Sequence, residues 1–162
     1  MGSGERFRPK SATYLMPIKD NQILLSKRFN TGWMDGMYSL ISGHLDGNES
    51  VHQAMIREAY EEAVIVVKDE DLIPATVVHR KAPDEEYIDF FFIVTKWQGE
   101  IVIGEPNKCD AMTWYPLDAL PENILPYIKE ALYNYQNKVA FSASGWDENT
   151  LVKDGENSVF ST

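Results

Sequence analysis

Short apolar runs alternate with turn-forming residues along the first forty positions of the chain. Ala12–Ile18 and Gln22–Phe29 are rich in aliphatic and β-branched residues, and Lys19-Asp20-Asn21 between them is a turn signal. This pattern predicts a β-hairpin. A loop over residues 30–36 and a short strand over 37–41 are predicted to follow.

The periodicity becomes helical at Ser50. Ser50 and Gln53 have the spacing of a capping box, and the pattern predicts a helix over residues 50–63. At about 100° per residue, Met55 and Ala59 fall on one face. An adjacent face carries three carboxylates: Glu58, Glu61 and Glu62.

The rest of the chain predicts further strands and a second helix. The strands are expected at 64–67, 72–79, 87–96, 100–103 and 112–115, and the helix at 121–137. Together these elements predict an α/β (α+β) fold, a mixed sheet with helices packed on it. We expect one domain over 12–137. Residues 1–11 form an N-terminal extension whose opening resembles a tag remnant, and residues 138–162 form a tail or a late hairpin.

Composition and charge narrow the class of protein. The chain has 162 residues, 44% of them hydrophobic, which is enough for one buried core. Its longest apolar stretches are too short for a membrane helix. A net charge of −10 disfavours a stable complex with nucleic acid. One cysteine, Cys109, fits a reducing compartment, so we expect a cytoplasmic location.

The three carboxylates on one helical face repel one another unless a positive charge lies among them. Two interpretations follow from the residues alone. The face is simply solvated, with Arg57 and Glu61 forming an i,i+4 pair, or it binds a divalent cation. Oxygen ligands favour Mg²⁺ or Mn²⁺ over zinc. A cation would also let an acidic protein bind a phosphate compound.

The spacing of these residues extends beyond the helix. Gly43 is followed after five residues by Glu49, and after seven more by Arg57-Glu58-Ala59-Tyr60-Glu61-Glu62-Ala63-Val64-Ile65. This segment resembles the signature of the Nudix hydrolase family. The family glycine that follows the two glutamates is Val64 here. Because a left-handed cap is costly for a β-branched residue, we expect Val64 to force a different exit from the helix.

The resemblance implies a Nudix-like fold with a metal-binding loop-helix-loop. It implies that metal is bound by the carbonyl of Gly43 and by Glu58, Glu61 and Glu62, while Arg57 orients the glutamates and Glu49 holds the loop. The resemblance makes Glu58 the first candidate for the general base and Glu105, on a later loop, the alternative, with Glu85 and Glu86 as weaker candidates. Arg28 at a strand end and His44 beside the glycine are expected to contact substrate.

The implied activity is Mg²⁺-dependent hydrolysis of a nucleoside diphosphate linked to another group. The first expectation is a nucleoside or deoxynucleoside triphosphate pyrophosphohydrolase that releases monophosphate and pyrophosphate, and a sugar nucleotide or a dinucleotide is the other possible substrate. Two alternatives stay open: a non-catalytic nucleotide sensor, and an isopentenyl diphosphate isomerase that would use Cys109. The expected partner is a nucleotide, with a homodimer as a further expectation.

Overall fold

A computed structural model describes residues 4–147 of the chain. Within that range there are eight strands and two α-helices: four strands precede the first α-helix, three lie between the two, and one follows the second. The elements are β1 Lys10–Lys19, β2 Gln22–Arg28, β3 Tyr38–Ser39, β4 Ile41–His44, α1 Val51–Ala63, β5 Ile73–Lys81, β6 Glu86–Val94, β7 Cys109–Pro116, α2 Pro126–Gln136 and β8 Phe141–Ser144. Neither helix is long and apolar enough to cross a membrane.

The predicted first hairpin forms, but its two arms soon separate. β1 and β2 pair only at Ile18 with Ile23 and at Lys19 with Gln22. Over 10–17, β1 instead runs parallel to β6. The strand order is β3-β2-β1-β6-β5-β8, with β4 added on β1 and β7 on β2. This divergence opens space between the two groups of strands.

The helices cover opposite faces of the sheet, as the α/β (α+β) prediction requires. Met55 and Ala59 of α1 belong to one buried apolar cluster. Ile128 and Leu132 of α2 belong to the other. Each helix contributes one apolar stripe, so burying both stripes needs two layers around the sheet. The predicted mixed sheet between helices is confirmed.

The second helix begins later than predicted, at Pro126 instead of Pro121. Leu125 has an extended conformation, as expected for a residue that precedes proline. The 121–125 segment instead docks on β3, because the N–H of Tyr38 donates to the carbonyl of Asn123 at 2.7 Å. Pro126 then occupies the first helical turn, where the missing N–H has no cost.

Val64 does not redirect the end of α1, and the predicted different exit is wrong. It adopts the left-handed conformation of the family glycine, with φ 56° and ψ 34°, and its N–H donates to the carbonyl of Tyr60. This conformation costs a residue with a side chain about 1–2 kcal/mol. The next residue, Ile65, is fully buried, which offsets about 1.5–3 kcal/mol. Burial of the following segment therefore holds Val64 in a strained conformation.

Two predicted strands are absent as such from the described residues. The 64–67 segment makes a single bridge, between Val66 and Gln98. The 100–103 segment belongs to no strand, because its hydrogen bonds go to the end of α1. There the N–H of Val102 donates to the carbonyl of Ala63 at 3.2 Å, and that of Gly104 to Glu62 at 2.8 Å. The last carbonyls of a helix lack intrahelical partners, so this segment caps α1.

The sheet extends slightly beyond the domain boundaries expected from the sequence. Lys10 and Ser11 pair with Tyr87 and Ile88 at the start of β1. At the other end, β8 runs parallel to β5, so this part of the expected tail joins the sheet without forming a hairpin. Residues 148–162, the rest of that tail, lie outside the described range.

Candidate active site

The loop before α1 turns sharply and is tied down by Glu49. Gly47 and Asn48 both have positive φ, which reverses the chain just before the helix. The Oε1 of Glu49 accepts a hydrogen bond from the N–H of Asp46 at 2.8 Å. Ser50 and Gln53 form both hydrogen bonds of the predicted capping box. The start of α1 is therefore fixed relative to the loop.

Arg57 links the loop to the helix. Its Nε and Nη2 donate to the two carboxyl oxygens of Glu49, at 3.2 and 2.9 Å. Its Nη1 donates to Oε1 of Glu58 at 2.7 Å, and its Nη2 donates to the carbonyl of His44 at 3.3 Å. The hydrogen bond from Arg57 holds the pKa of Glu49 below its usual range. Arg57 is thus a rigid crosslink that orients two glutamates.

Glu58 lies deeper than its helical position predicts. It is only 9% exposed, whereas the sequence places it on a polar face with the other carboxylates. Gly43 explains this burial, because a β-carbon at that position would overlap the Glu58 carboxyl group. Burial raises the pKa of Glu58, and the hydrogen bond from Arg57 opposes that rise. The glycine therefore makes room for a buried acidic group.

Glu62 lies beside the same strand as Gly43. Its Oε2 accepts a hydrogen bond from the N–H of Ser42 at 3.0 Å. Burial, and then the negative charges of Glu58 and Glu105, raise the pKa of Glu62 to about 8. The carboxyl group is held at β4 in surroundings that resist its ionisation.

The later loop brings Glu105 to this group. Gly104 packs against the backbone of Glu61 so closely that a β-carbon would overlap its carbonyl oxygen. This contact sets the neighbouring Glu105 within electrostatic range of Glu58 and Glu62. Glu61 itself is half exposed and lies 3.6 Å from Nη1 of Arg57. The structure thus brings Glu105, far away in sequence, to the predicted carboxylates.

The donor set fits a hard divalent cation. No three His, Cys, Asp or Glu side chains among residues 4–147 are grouped as a ready metal cluster. The available donors are all oxygens, and burial together with neighbouring carboxylates raises the pKa values of Glu58 and Glu62. A bound divalent cation relieves such repulsion, and oxygen ligands suit Mg²⁺. Glu58, Glu61 and Glu62 are the side chains that would hold it, with the carbonyl of Gly43.

A cleft of about 1140 Å³ opens beside these carboxylates. Gly43, Glu62 and Glu105 line it, together with the predicted substrate contacts Arg28 and His44. Glu58 and Glu61 are not among the lining residues of the described structure. The cleft thus brings together most, but not all, of the predicted site residues.

The two predicted substrate contacts are already held by neighbours within the cleft. Arg28 donates from Nε to the carbonyl of Trp33 at 2.8 Å and from Nη2 to Thr31 at 2.9 Å, and it stacks on the Trp33 ring at 5.0 Å. The His44 ring stacks on Tyr87, with centroids 6.0 Å apart. Both side chains are therefore oriented before any substrate binds.

Sequence reasoning missed a buried polar network in the same cleft. Arg80 donates to Asp89 at 2.6 Å, and Tyr14 also hydrogen-bonds to Asp89. A signal was present in the alternation along the strands. Arg80 shares the inward face of β5 with Val78, and Asp89 shares that of β6 with Phe91. When two neighbouring strands each carry a charged residue at an inward-facing position, and the charges are opposite, the two side chains are expected to form a buried ion pair.

Comparisons with known proteins agree on one family. The family model described as NUDIX domain matches residues 8–135. An 8-oxo-dGTP diphosphatase from Proteus vulgaris is 35% identical over 83 residues, 51% of this chain and 72% of that protein. An ADP-ribose pyrophosphatase from Methanocaldococcus jannaschii is 31% identical over 104 residues, 64% of this chain. The chain spans 60% of that archaeal protein and 44% of an NAD-capped RNA hydrolase from Escherichia coli.

Solved structures match in the same way. The crystal structure of a MutT NUDIX hydrolase from Burkholderia pseudomallei superposes with a TM-score of 0.72 at 27% identity, covering 78% of this chain and 98% of that one. The match includes the mixed sheet and its helices. The chain therefore belongs to the Nudix hydrolases, enzymes that split pyrophosphate linkages, as its glutamate-rich segment predicted.

Proposed function

We propose that this chain hydrolyses a phosphoanhydride bond in a nucleoside diphosphate linked to another group, and that it requires Mg²⁺ or Mn²⁺. The favoured substrate is a nucleoside or deoxynucleoside triphosphate, cut to monophosphate and pyrophosphate. The observation that carries the proposal is the group of carboxylates held beside a nucleotide-sized cleft, with Glu62 and Glu105 lining it. We further propose that it acts in the reducing cytoplasm.

The side chains divide the work. Arg57 holds Glu58, and the N–H of Ser42 holds Glu62, so the oxygens that would bind metal are oriented in advance. Divalent cations bound there would neutralise phosphate charge and lower the pKa of an attacking water. Arg28 is a donor for phosphate oxygens at the cleft wall.

We propose Glu105, in preference to Glu58, as the general base. A base takes a proton from water as the oxygen attacks phosphorus, while the bond from phosphorus to the leaving phosphate oxygen breaks. Glu105 lines the cleft, whereas Glu58 is buried and hydrogen-bonded to Arg57. These contacts favour Glu105 as base and Glu58 as ligand. Comparing the pH–rate profiles of Glu105→Gln and Glu58→Gln separates the two roles, since loss of the base removes the acidic limb.

The decisive experiment is ion chromatography of products from a nucleotide panel incubated with Mg²⁺, with and without chelator. We expect monophosphate to appear only with the cation, and Glu62→Gln to abolish it. Glu100→Gln, at an exposed position, is the matched control and should remain active. Tight nucleotide binding with no product would favour the sensor alternative. The thiol of Cys109 is buried beside Ser26. Unchanged nucleotide hydrolysis in Cys109→Ala would exclude the isomerase, which depends on a catalytic cysteine.

A further inference from the structure

A buried arginine lines the cleft apart from the carboxylates. Arg80 is 5% exposed, yet it lies among the lining residues together with Tyr14, Tyr87 and Tyr127. The proposed hydrolysis uses none of these four. An arginine is almost never this buried unless it is paired. Because Arg80 also borders the cleft, part of its guanidinium is available to a ligand.

Two aromatic rings pack against the Arg80 guanidinium. Its central carbon lies 4.1 Å from the ring centroid of Tyr87 and 4.0 Å from that of Tyr127. The N–H groups of a guanidinium lie in its plane, so a ligand that hydrogen-bonds to Arg80 does so along an edge.

One of those edges is already occupied. Nε donates to Oδ2 of Asp89 at 2.6 Å, and Nη2 lies 3.4 Å from Oδ1. Asp89 is fully buried, and Tyr14 also hydrogen-bonds to it. The pair is thus neutral overall and rigidly placed. The remaining edge carries Nη1 and the outer hydrogen of Nη2.

The remaining edge opens on the cleft. No acceptor in residues 4–147 has a hydrogen bond from Nη1 of Arg80. Among residues 4–147, Oε2 of Glu130 is the one fully buried side-chain polar atom without a hydrogen-bond partner, so Nη1 of Arg80 is not such an atom. Nη1 is therefore in contact with solvent, and Arg80 reaches solvent at the cleft. Two coplanar donors stand ready for two adjacent acceptors.

We propose that this free edge of Arg80 recognises the nucleobase of the substrate and selects guanine through its adjacent O6 and N7 acceptors. Arginine forms two parallel hydrogen bonds with this pair of atoms, and adenine presents a donor where guanine has O6. The inference rests on the proposed function in that the guanine belongs to the hydrolysed nucleotide. It assigns a specificity-determining residue outside the carboxylate group.

A base suits the site better than another phosphate. Asp89 already neutralises Arg80, so an added anion would meet no net positive charge. Glu85, which accepts a hydrogen bond from Tyr87 on the same wall, is paired with Lys10, so it leaves no net positive charge there either. The aromatic lining and edge-on access favour a planar, uncharged ring.

The first test uses the unmodified protein in chelator, so that binding is measured apart from hydrolysis. Calorimetric titrations with GMP, IMP, 7-deaza-GMP and AMP separate the two acceptors. GMP and IMP keep both, 7-deaza-GMP lacks N7, and AMP lacks O6. We expect GMP and IMP to bind alike and the other two about ten-fold more weakly. Equal affinities for GMP and AMP, or a preference for AMP, would overturn the proposal.

The second test replaces the planar fork while keeping its charge. Arg80→Lys should reduce the preference for GMP over AMP to about one, whereas Lys81→Met on the same strand should leave it unchanged. Near-ultraviolet circular dichroism shows whether the variant is folded. If it is not, the titrations of the unmodified protein with GMP, IMP, 7-deaza-GMP and AMP test the proposal by themselves. If Arg80→Lys weakens pyrophosphate binding as much as GMP binding, the edge holds an anion and the proposal is wrong.

These outcomes separate the inference from the proposed function. A guanine preference in binding without hydrolysis of any nucleotide would leave the recognition site standing and refute the enzyme activity. Hydrolysis of GTP and ATP with equal kcat/KM would support the enzyme activity and refute guanine recognition. Hydrolysis that is about ten-fold faster for GTP, with the preference lost in Arg80→Lys, would support both.

Discussion

Gly43 lies against the carboxyl group of Glu58 so closely that no side chain fits between them. The two residues belong to different elements, β4 and α1, and are fifteen positions apart in sequence. Their contact lets an acidic side chain turn inward beneath a strand. It also brings Gly43, whose carbonyl the family resemblance implies as a metal ligand, against the predicted ligand Glu58.

A side chain at Gly43 should therefore disable the site. We expect Gly43→Ala to displace Glu58, to lower kcat at least ten-fold and to destabilise the fold by about 1–3 kcal/mol through overpacking. Steady-state kinetics and urea unfolding measure the two effects. Gly4→Ala is the control, since nothing lies within 4 Å of a β-carbon there. Unchanged activity in Gly43→Ala would contradict the close packing.

Glycine at the end of α1 should stabilise the protein. Val64 is held at φ 56°, and its side chain is 40% exposed, so little burial would be lost. We expect Val64→Gly to raise the free energy of unfolding by about 0.5–1 kcal/mol. Glycine relieves the left-handed strain, and the flexibility that it adds to the unfolded chain cancels part of that gain.

Chemical denaturation measures this change. Val64→Ala, which keeps a β-carbon in the same backbone conformation, is the matched variant and should gain less. If Val64→Gly proves less stable than the natural chain, the left-handed conformation is not a source of strain. The same comparison should leave activity unchanged, because Val64 offers no side chain to the site.

The fork of Arg57 should matter more than its charge. Arg57→Lys keeps the charge but is unable to contact Glu49 and Glu58 in the observed forked geometry. We expect about 10–100-fold weaker Mg²⁺ activation, the usual effect of losing a residue that orients metal ligands. Titrating activity against Mg²⁺ concentration measures it. Arg8→Lys, in an exposed ion pair with Glu5, should leave the activation curve unchanged. An unaltered curve for Arg57→Lys would refute the orienting role.

Tyr87 should make the fold sensitive to alkali. Burial, and then the hydrogen bond to Glu85, raise the pKa of Tyr87 to about 12, against about 10 when unfolded. The folded form keeps its proton longer, so this contribution to stability is complete below pH about 10 and is lost as pH rises toward 12. Urea unfolding at about pH 9 and about pH 11 measures the fall.

The tyrosine variants isolate that effect. Tyr87→Phe should show a smaller fall in unfolding free energy between the two pH values, because the titrating hydroxyl is gone. Tyr133→Phe, at an exposed position on α2, should behave as the natural chain does. An identical fall in Tyr87→Phe would show that the raised pKa of Tyr87 plays no part.

The sequence by itself determined the elements with strong periodicity and local caps. The helix at Val51–Ala63 has its apolar stripe and its Ser50 capping box within one short segment, so nearby residues suffice to define it. The glutamate spacing from Gly43 to Glu62 likewise identified the family, because it is a local pattern. These features depend on neighbours along the chain.

Tertiary structure decided whatever depended on distant partners. The 100–103 segment has the composition of a strand, but its N–H groups meet the free carbonyls of α1 and cap the helix. Glu58 looks exposed on a helical wheel and is buried because a distant glycine leaves room for it. Val64 accepts strain because Ile65 is buried in the core. Hydrogen bonding and burial across the fold outweighed local preference at each of these positions.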